Sequence, residues 1–200
     1  MRIKQIALRG LIFIFFVGCL NISVAFAERP ESGVGKWLQE VGVFTGFATG
    51  TLKRKGTMDI YPVGMRFGFD LKPFVKKLGL TPKGLLELMY EPFVGAIANP
   101  ESKVEFGIPV MLKYSYPLTN KFYPFVELGI GPYYMTLKTY EQSTQYNFIS
   151  QAGAGISYFL KENWAINVGY RYRHVSNGWI KEPNGGIEAS EYLVGMSWYF

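Results

Sequence analysis

The sequence predicts an all-β protein in which eight antiparallel strands close into a transmembrane barrel. Three observations predict it. First, apolar and polar residues alternate strictly. From Glu105 to Tyr116, Phe106, Ile108, Val110, Leu112, Tyr114 and Tyr116 share one face, while Glu105, Gly107, Pro109, Met111, Lys113 and Ser115 share the other. A period of two is the signature of a strand. Second, the faces opposite the apolar rows collect Arg66, Asp70, Glu87, Glu91, Glu127, Arg171 and Arg173. A closed barrel with lipid outside and a polar network inside accommodates both faces and leaves no open edge. Third, aromatics gather near strand ends, at Tyr114/Tyr116, Tyr133/Tyr134, Tyr158 and Trp198/Tyr199, where interfacial girdles belong. An exported soluble barrel of lipocalin type, with its apolar face inside, is the competing architecture.

The chain opens on an export signal, residues 1–27. Arg2, Lys4 and Arg9 form its basic start, "LIFIFFVGCL" its apolar core, and Ala25-Phe26-Ala27 a cleavage site before Glu28. The apolar run is too short to favour a permanent spanning helix. Cys19, the only cysteine, lies inside it, so the mature chain forms no internal disulfide. A lipoprotein signal with Cys19 as the lipidated residue is the alternative. Residues 28–200 then make one barrel domain. The formal net charge of +6 falls once the three basic signal residues are removed, and it gives no argument for nucleic acid. With His174 the only histidine, a zinc site of ordinary ligands is close to excluded. No metal and no cofactor are expected.

Strands are predicted near Glu40–Thr49, Val63–Leu71, Leu85–Ala98, Glu105–Tyr116, Phe122–Lys138, Asn147–Leu160, Trp164–Ser176 and Ser190–Phe200. Eight strands enclose a lumen just wide enough for side chains, which implies a plugged interior and no pore. The terminal Phe200, closing a strand, resembles the end signature of bacterial outer-membrane barrels. With both termini periplasmic, "PLTNK" and "KEN" are short periplasmic turns, while "TYEQSTQY" and "NGWIKEPNGGI" are outer loops. The second connection, "KPFVKKLGLTPKG" (Lys72–Gly84), is long for a periplasmic turn. Its composition suits a small amphipathic helix, with no role assigned by the sequence.

Polar residues interrupt the lipid-facing row of the seventh strand. Trp164, Ile166, Val168, Tyr170 and Tyr172 lead to His174 and Ser176, whose Cα atoms stand about 6.5–7 Å apart on one strand face. On the eighth strand the row from Phe200 to Tyr192 extends to Ser190 and Glu188. If pairing continues that far, Ser176, His174 and Glu188 converge on the outer wall. Those are the parts of a nucleophilic triad: Ser176 to attack an ester carbonyl, His174 to take its proton, Glu188 to hold the imidazole. The side chain of Asn177 or the backbone N–H of Gly178 is placed to bind a developing oxyanion. Spacing alone is weak evidence, and a rim histidine at the membrane interface is the plain alternative. Polar groups on a lipid-facing row are costly, however, unless they serve a purpose. Ser190 is the other hydroxyl on that row, and Glu191 is a rival carboxylate whose parity points it into the lumen.

The segment "HVSNGWIKEPNGGIE" resembles the active-site segment of the lipid A 3-O-deacylases (PagL type), eight-stranded outer-membrane barrels that remove the ester-linked acyl chain at the 3-position of lipid A. The resemblance assigns His174, Ser176 two residues on, Asn177 after it, and the acidic Glu188 fourteen residues from the histidine. Asn184 corresponds to the asparagine of the family's hairpin. Gly178 stands where alanine is expected, and Trp179 follows it; both bear on substrate preference more than on chemistry. The resemblance implies a serine esterase of the bacterial outer membrane, with lipid A or lipopolysaccharide as substrate and membrane lipids as surroundings. Lys53, Arg54, Lys55 and Lys181 are candidates to meet lipid A phosphates, and a homodimer is left open. A phospholipase or acyltransferase, or a non-enzymatic structural or adhesive barrel, stands as the alternative function.

Overall fold

The computed structural model describes residues 37–200; the expected export signal and its cleavage site lie outside them. Ten strands and one short helix follow in chain order: β1 (Leu38–Leu52), β2 (Gly56–Asp70), α1 (Lys72–Lys77), β3 (Leu85–Tyr90), β4 (Phe93–Asn99), β5 (Lys103–Gly107), β6 (Val110–Ser115), β7 (Phe122–Met135), β8 (Tyr146–Lys161), β9 (Trp164–Ser176) and β10 (Ile187–Tyr199). Every pairing is antiparallel, and β10 returns to pair with β1 from Glu40↔Tyr199 to Gly50↔Ala189, which closes the ring. No helix among the described residues is long and apolar enough to cross a membrane.

Ten strands make eight staves. β3 and β4 are one stave broken at Glu91-Pro92, and β5 and β6 are one stave broken at Ile108-Pro109. Proline cannot donate to a ladder, so the regular pattern lapses there. The wall stays shut because the proline carbonyls still accept, from Met65 N–H to Pro92 at 3.0 Å and from Glu91 N–H to Pro109 at 3.0 Å. Other boundaries move too. β2 starts at Gly56 rather than near Val63, so Lys53-Arg54-Lys55 forms a tight hairpin turn; "TMDIYP" reads as loop because of its Asp and Pro, yet it is paired on both sides. β7 stops at Met135, short of the predicted Lys138, and β10 starts at Ile187, three residues early.

The predicted parity holds along the wall. Lumen-facing Arg66, Glu87, Glu91, Glu105, Lys113, Glu127, Arg171 and Arg173 are buried, as are Glu40 and Glu191. Lipid-facing Val63, Val94, Ile130, Val168 and Tyr192 are exposed. The lumen is filled in three layers. At the loop end, Leu52, Met58, Ile97, Met135, Ile149, Val175 and Ile187 belong to one apolar cluster. At the turn end, Leu85, Tyr123, Phe159, Ala165 and Tyr199 form a second. Between them lies a ladder of ion pairs: Lys113–Glu40 at 2.7 Å, Arg66–Glu91 at 3.2 Å, Arg171–Glu91 and Arg171–Glu127 both at 2.6 Å, Arg173–Glu105 at 2.9 Å and Arg173–Glu191 at 3.1 Å.

Desolvating these charges is expensive, and their mutual attraction repays it only while every partner is present. Arg171→Met is therefore expected to destabilise the barrel by about 3–5 kcal/mol, because it strands buried Glu127 without its ion-pair partner and leaves Glu91 with Arg66 alone. Denaturant unfolding of the reconstituted protein, followed by the gel shift between folded and unfolded forms, measures it.

Candidate active site

Three neighbouring strands build the site from two adjacent rows. The inward row is Ile149 on β8, Val175 on β9 and Ile187 on β10, cross-strand partners of one another and all buried in the loop-end cluster. The outward row lies one residue away: Ser150 and Glu188 each pair directly with His174. Burying the three β-branched side chains fixes the register, and a one-residue slip would turn the whole outward row into the lumen. His174 Nδ1 stands 3.9 Å from Glu188 Oε1, with the two side chains 41% and 65% exposed on the outer wall. That separation is longer than a hydrogen bond, and catalytic pairs of this kind commonly tighten when substrate excludes water. Ser176 follows on the same face of β9, opposite Phe148. Tyr172, two residues before His174 on the same outward row, lies near the Glu188 carboxylate.

The rival residues have other partners. Glu191 points into the lumen and pairs with Arg173. The Ser190 hydroxyl lies 3.0 Å from that of Tyr170. Ser150, which sequence reasoning missed, is a second hydroxyl beside the imidazole; its outward parity on β8 was the available signal.

Beyond Ser176 the chain turns sharply. Ile180 N–H bonds to Asn177 O at 3.3 Å, and the central residues Gly178 and Trp179 have φ of 64° and 65°. Two positive φ values in succession are the signature of a type I′ turn. Glycine suits the first position without strain, which is a physical reason for Gly178 where alanine is expected. Trp179 tolerates it at a cost. Asn177 is buried and staples this hairpin: its Nδ2 donates to Lys181 O at 2.7 Å and to Ser143 Oγ at 3.1 Å, while its backbone N–H donates to Asn184 Oδ1 at 3.0 Å. Both side-chain protons are thus committed to the loop. The N–H of Gly178 is the donor beside Ser176 that meets no acceptor among the described residues.

The loop between β7 and β8 backs the hairpin. Gly185 N–H bonds to Glu141 O at 2.7 Å, Ser143 N–H bonds to Pro183 O at 3.0 Å, and Gln142 bridges Asn184. Buried Glu141 also accepts the Lys53 backbone N–H, which ties in the first hairpin turn. The basic candidates divide. Lys55 is paired with Glu101 at 2.5 Å, and Arg54 stacks 3.7 Å from the centre of the Tyr140 ring. Lys53 Nζ lies beside Gly185, and Lys181 is exposed at the hairpin.

Gly186 is the other residue the sequence hid. A Cβ there would lie 2.6 Å from His174 Cε1, and its φ is 74°. The glycine backbone is a wall against which the imidazole rests. Gly186→Ala is expected to displace the ring while the barrel persists. His174 is the only histidine, so a shift of its single Cε1–H resonance by NMR, against an unchanged amide spectrum for the turn end, checks this directly.

A serine, an imidazole and a carboxylate lie on one outward face of the wall; comparisons with known proteins give the family and the fold. The model of the family "Lipid A 3-O-deacylase (PagL)" matches residues 60–197. The crystal structure of the outer membrane enzyme PagL superposes with a TM-score of 0.57 at 20% identity, covering 78% of this chain and 97% of that one. Neisserial surface protein A gives 0.56 at 14% identity, over 84% of this chain and all of the other. These two likenesses establish the fold, and neither supports a homodimer. No curated protein sequence matches. The barrel is a protein of the bacterial outer membrane, and by the match over most of its length the chain belongs to the lipid A 3-O-deacylase (PagL) family.

Proposed function

We propose that the protein is a serine esterase that hydrolyses the 3-O-linked acyl ester of lipid A from the outer leaflet. The observation that carries the reading is the direct pairing of Glu188 with His174 on the lipid-facing wall, on the strand that also presents Ser176. His174 removes the proton as Ser176 Oγ attacks the ester carbonyl, and the Gly178 N–H faces the oxygen on which charge develops. His174 then returns the proton to the departing sugar hydroxyl, leaving an acyl-serine. Water, deprotonated by the same imidazole, attacks the acyl-serine; the C–Oγ bond breaks, His174 returns the proton to Ser176 Oγ, and a 3-hydroxy fatty acid leaves. Glu188 fixes the imidazole tautomer and stabilises the imidazolium, and Tyr172 holds the carboxylate. Asn177 and Asn184 keep the hairpin shaped around these groups. Lys53 and Lys181 meet the phosphates of the substrate, whereas Lys55 is engaged by Glu101.

The test is a mass spectrum of lipid A from a Gram-negative host that expresses the protein. Wild type is expected to remove one ester-linked 3-hydroxyacyl group, and Ser176→Ala and His174→Ala are expected to remove none. Ser150→Ala is expected to remain active. If instead Ser150→Ala is silent and Ser176→Ala active, the nucleophile is Ser150. An unmodified spectrum with well-folded wild type overturns the reading for this substrate. With purified enzyme, Glu188→Gln is expected to lower kcat by roughly 10⁴-fold, the size of effect seen when a triad carboxylate loses its charge.

Lys53→Ala with Lys181→Ala is expected to raise KM and leave kcat nearly unchanged, since headgroup contacts made equally in ground and transition states act on binding alone. Initial-rate kinetics on lipid A in mixed micelles separate the two constants.

A further inference from the structure

The connection from β2 to β3 carries α1 at the turn end of the barrel, opposite to the catalytic hairpin. At about 100° per residue, Leu71, Val75, Phe74 and Leu78 fall on one arc of this helix, and Lys72, Lys76 and Lys77 fall on the other side. The barrel covers only part of the apolar arc. Leu71 and Val75 are half-buried, but Phe74 is 62% and Leu78 65% exposed. No residue of the helix is fully buried. Trp37 is exposed on the same rim, joined to the helix start by the bond from Asp70 N–H to Trp37 O at 2.8 Å. The lipid-facing row of β2, which includes exposed Val63, Met65 and Phe69, runs straight into this patch. Among the described residues, lysine ion pairs belong to Lys55, Lys103 and Lys113; Lys72, Lys76 and Lys77 are in none.

We propose that α1 is an interfacial anchor that lies in the periplasmic leaflet of the outer membrane and binds its anionic phospholipid headgroups. Apolar surface at the rim of a membrane barrel, continuous with the lipid-facing wall, is covered by acyl chains without any rearrangement. The lysines beside it then sit at headgroup depth, where a basic amphipathic segment gains from both burial and attraction to anionic lipid. The charge decides between lipid and the alternative occupant, a periplasmic protein. Three unpaired cations flanking an apolar stripe complement a sheet of anionic headgroups. The anchor also accounts for a connection far longer than the "PLTNK" and "KEN" turns at the same end. The inference rests on the outer-membrane location of the barrel and is independent of the esterase reading.

Site-directed spin labelling tests it. The full chain with Cys19→Ser is expressed, purified from the outer membrane and placed in vesicles of phosphatidylethanolamine and phosphatidylglycerol. One label at a time is introduced through Phe74→Cys, Leu78→Cys and Lys76→Cys. Collision with oxygen is expected to exceed collision with a water-soluble nickel chelate at positions 74 and 78, with the order reversed at 76. Replacing phosphatidylglycerol with phosphatidylcholine, or combining Lys72→Gln, Lys76→Gln and Lys77→Gln, is expected to raise nickel access at 74. The gel shift confirms a folded barrel in each variant. Nickel access at 74 and 78 equal to that at 76 would overturn the proposal, and so would a profile indifferent to both lipid charge and lysine removal. Protection of 74 and 78 in native membranes but not in pure lipid vesicles would reassign the patch to a protein partner. Lipid A hydrolysis is expected to survive these α1 substitutions, which separates failure here from failure of the esterase reading.

Discussion

A barrel wall is one residue thick, and everything in this structure depends on that constraint. Each side chain faces either the lumen or the lipid, so whatever fixes one residue fixes its neighbours on the opposite side. On β9 the order is Arg171 inward, Tyr172 outward, Arg173 inward, His174 outward, Val175 inward, Ser176 outward. Arg171 is held by Glu91 and Glu127 from two other staves, and Arg173 by Glu105 and Glu191. A register shift would break those pairs and expose their charges to hydrocarbon. The ion pairs are poor evidence of net stability, because apolar replacements of equal shape avoid the desolvation cost. Their consequence is specificity. They allow one register, and that register places the imidazole outside.

The site divides its requirements between wall and loop. His174 and Glu188 stand on paired strands, where their register is set by the packing behind them. The oxyanion donor must come from a turn, because in a strand the N–H groups are consumed by the ladder. A turn is ordinarily the mobile part of a barrel. Here Asn177 is buried and spends its amide on Lys181 and Ser143, while Gln142 and Glu141 reach across from the neighbouring loop. The third outer loop thus behaves as a splint for the fourth. Gly186 completes the enclosure by bringing backbone against the ring where a side chain would displace it.

Period-two alternation made the wall legible from sequence, since each stave must repeat the same inside–outside rhythm and charge marks the inside. It gave the parity of Glu191 and Glu188, which separates a lumen ion-pair partner from a site carboxylate. Alternation is blind to long-range closure. The breaks at Glu91-Pro92 and Ile108-Pro109 went unseen because parity resumes across each of them. The β2 segment beginning at Gly56 was hidden by Asp59 and Pro62, residues that a strand tolerates when its neighbours supply the missing partners. The candidate site was legible where it followed the row, since His174, Ser176 and Glu188 do share one outward face. It was illegible where position depends on a second loop: nothing in "TYEQSTQY" announces that Glu141 and Ser143 hold the hairpin, and nothing in "PNGG" says which glycine touches the imidazole.

The filled lumen explains why a lipid-modifying site would be built on the outside at all. An enzyme that draws an acyl chain into its barrel needs an apolar cavity there, and this lumen holds two apolar plugs with charged pairs packed between them. No acyl chain enters without breaking the ion pairs that set the register. The outer wall imposes no such conflict. A chain lying along exposed Val168, Tyr170 and Tyr192 remains in the membrane and exchanges one apolar contact for another, so an ester group at the rim reaches Ser176 without extraction of its lipid. The geometry therefore favours hydrolysis at the wall over transfer through the lumen, and it does so through the same charges that fix His174 on the lipid side.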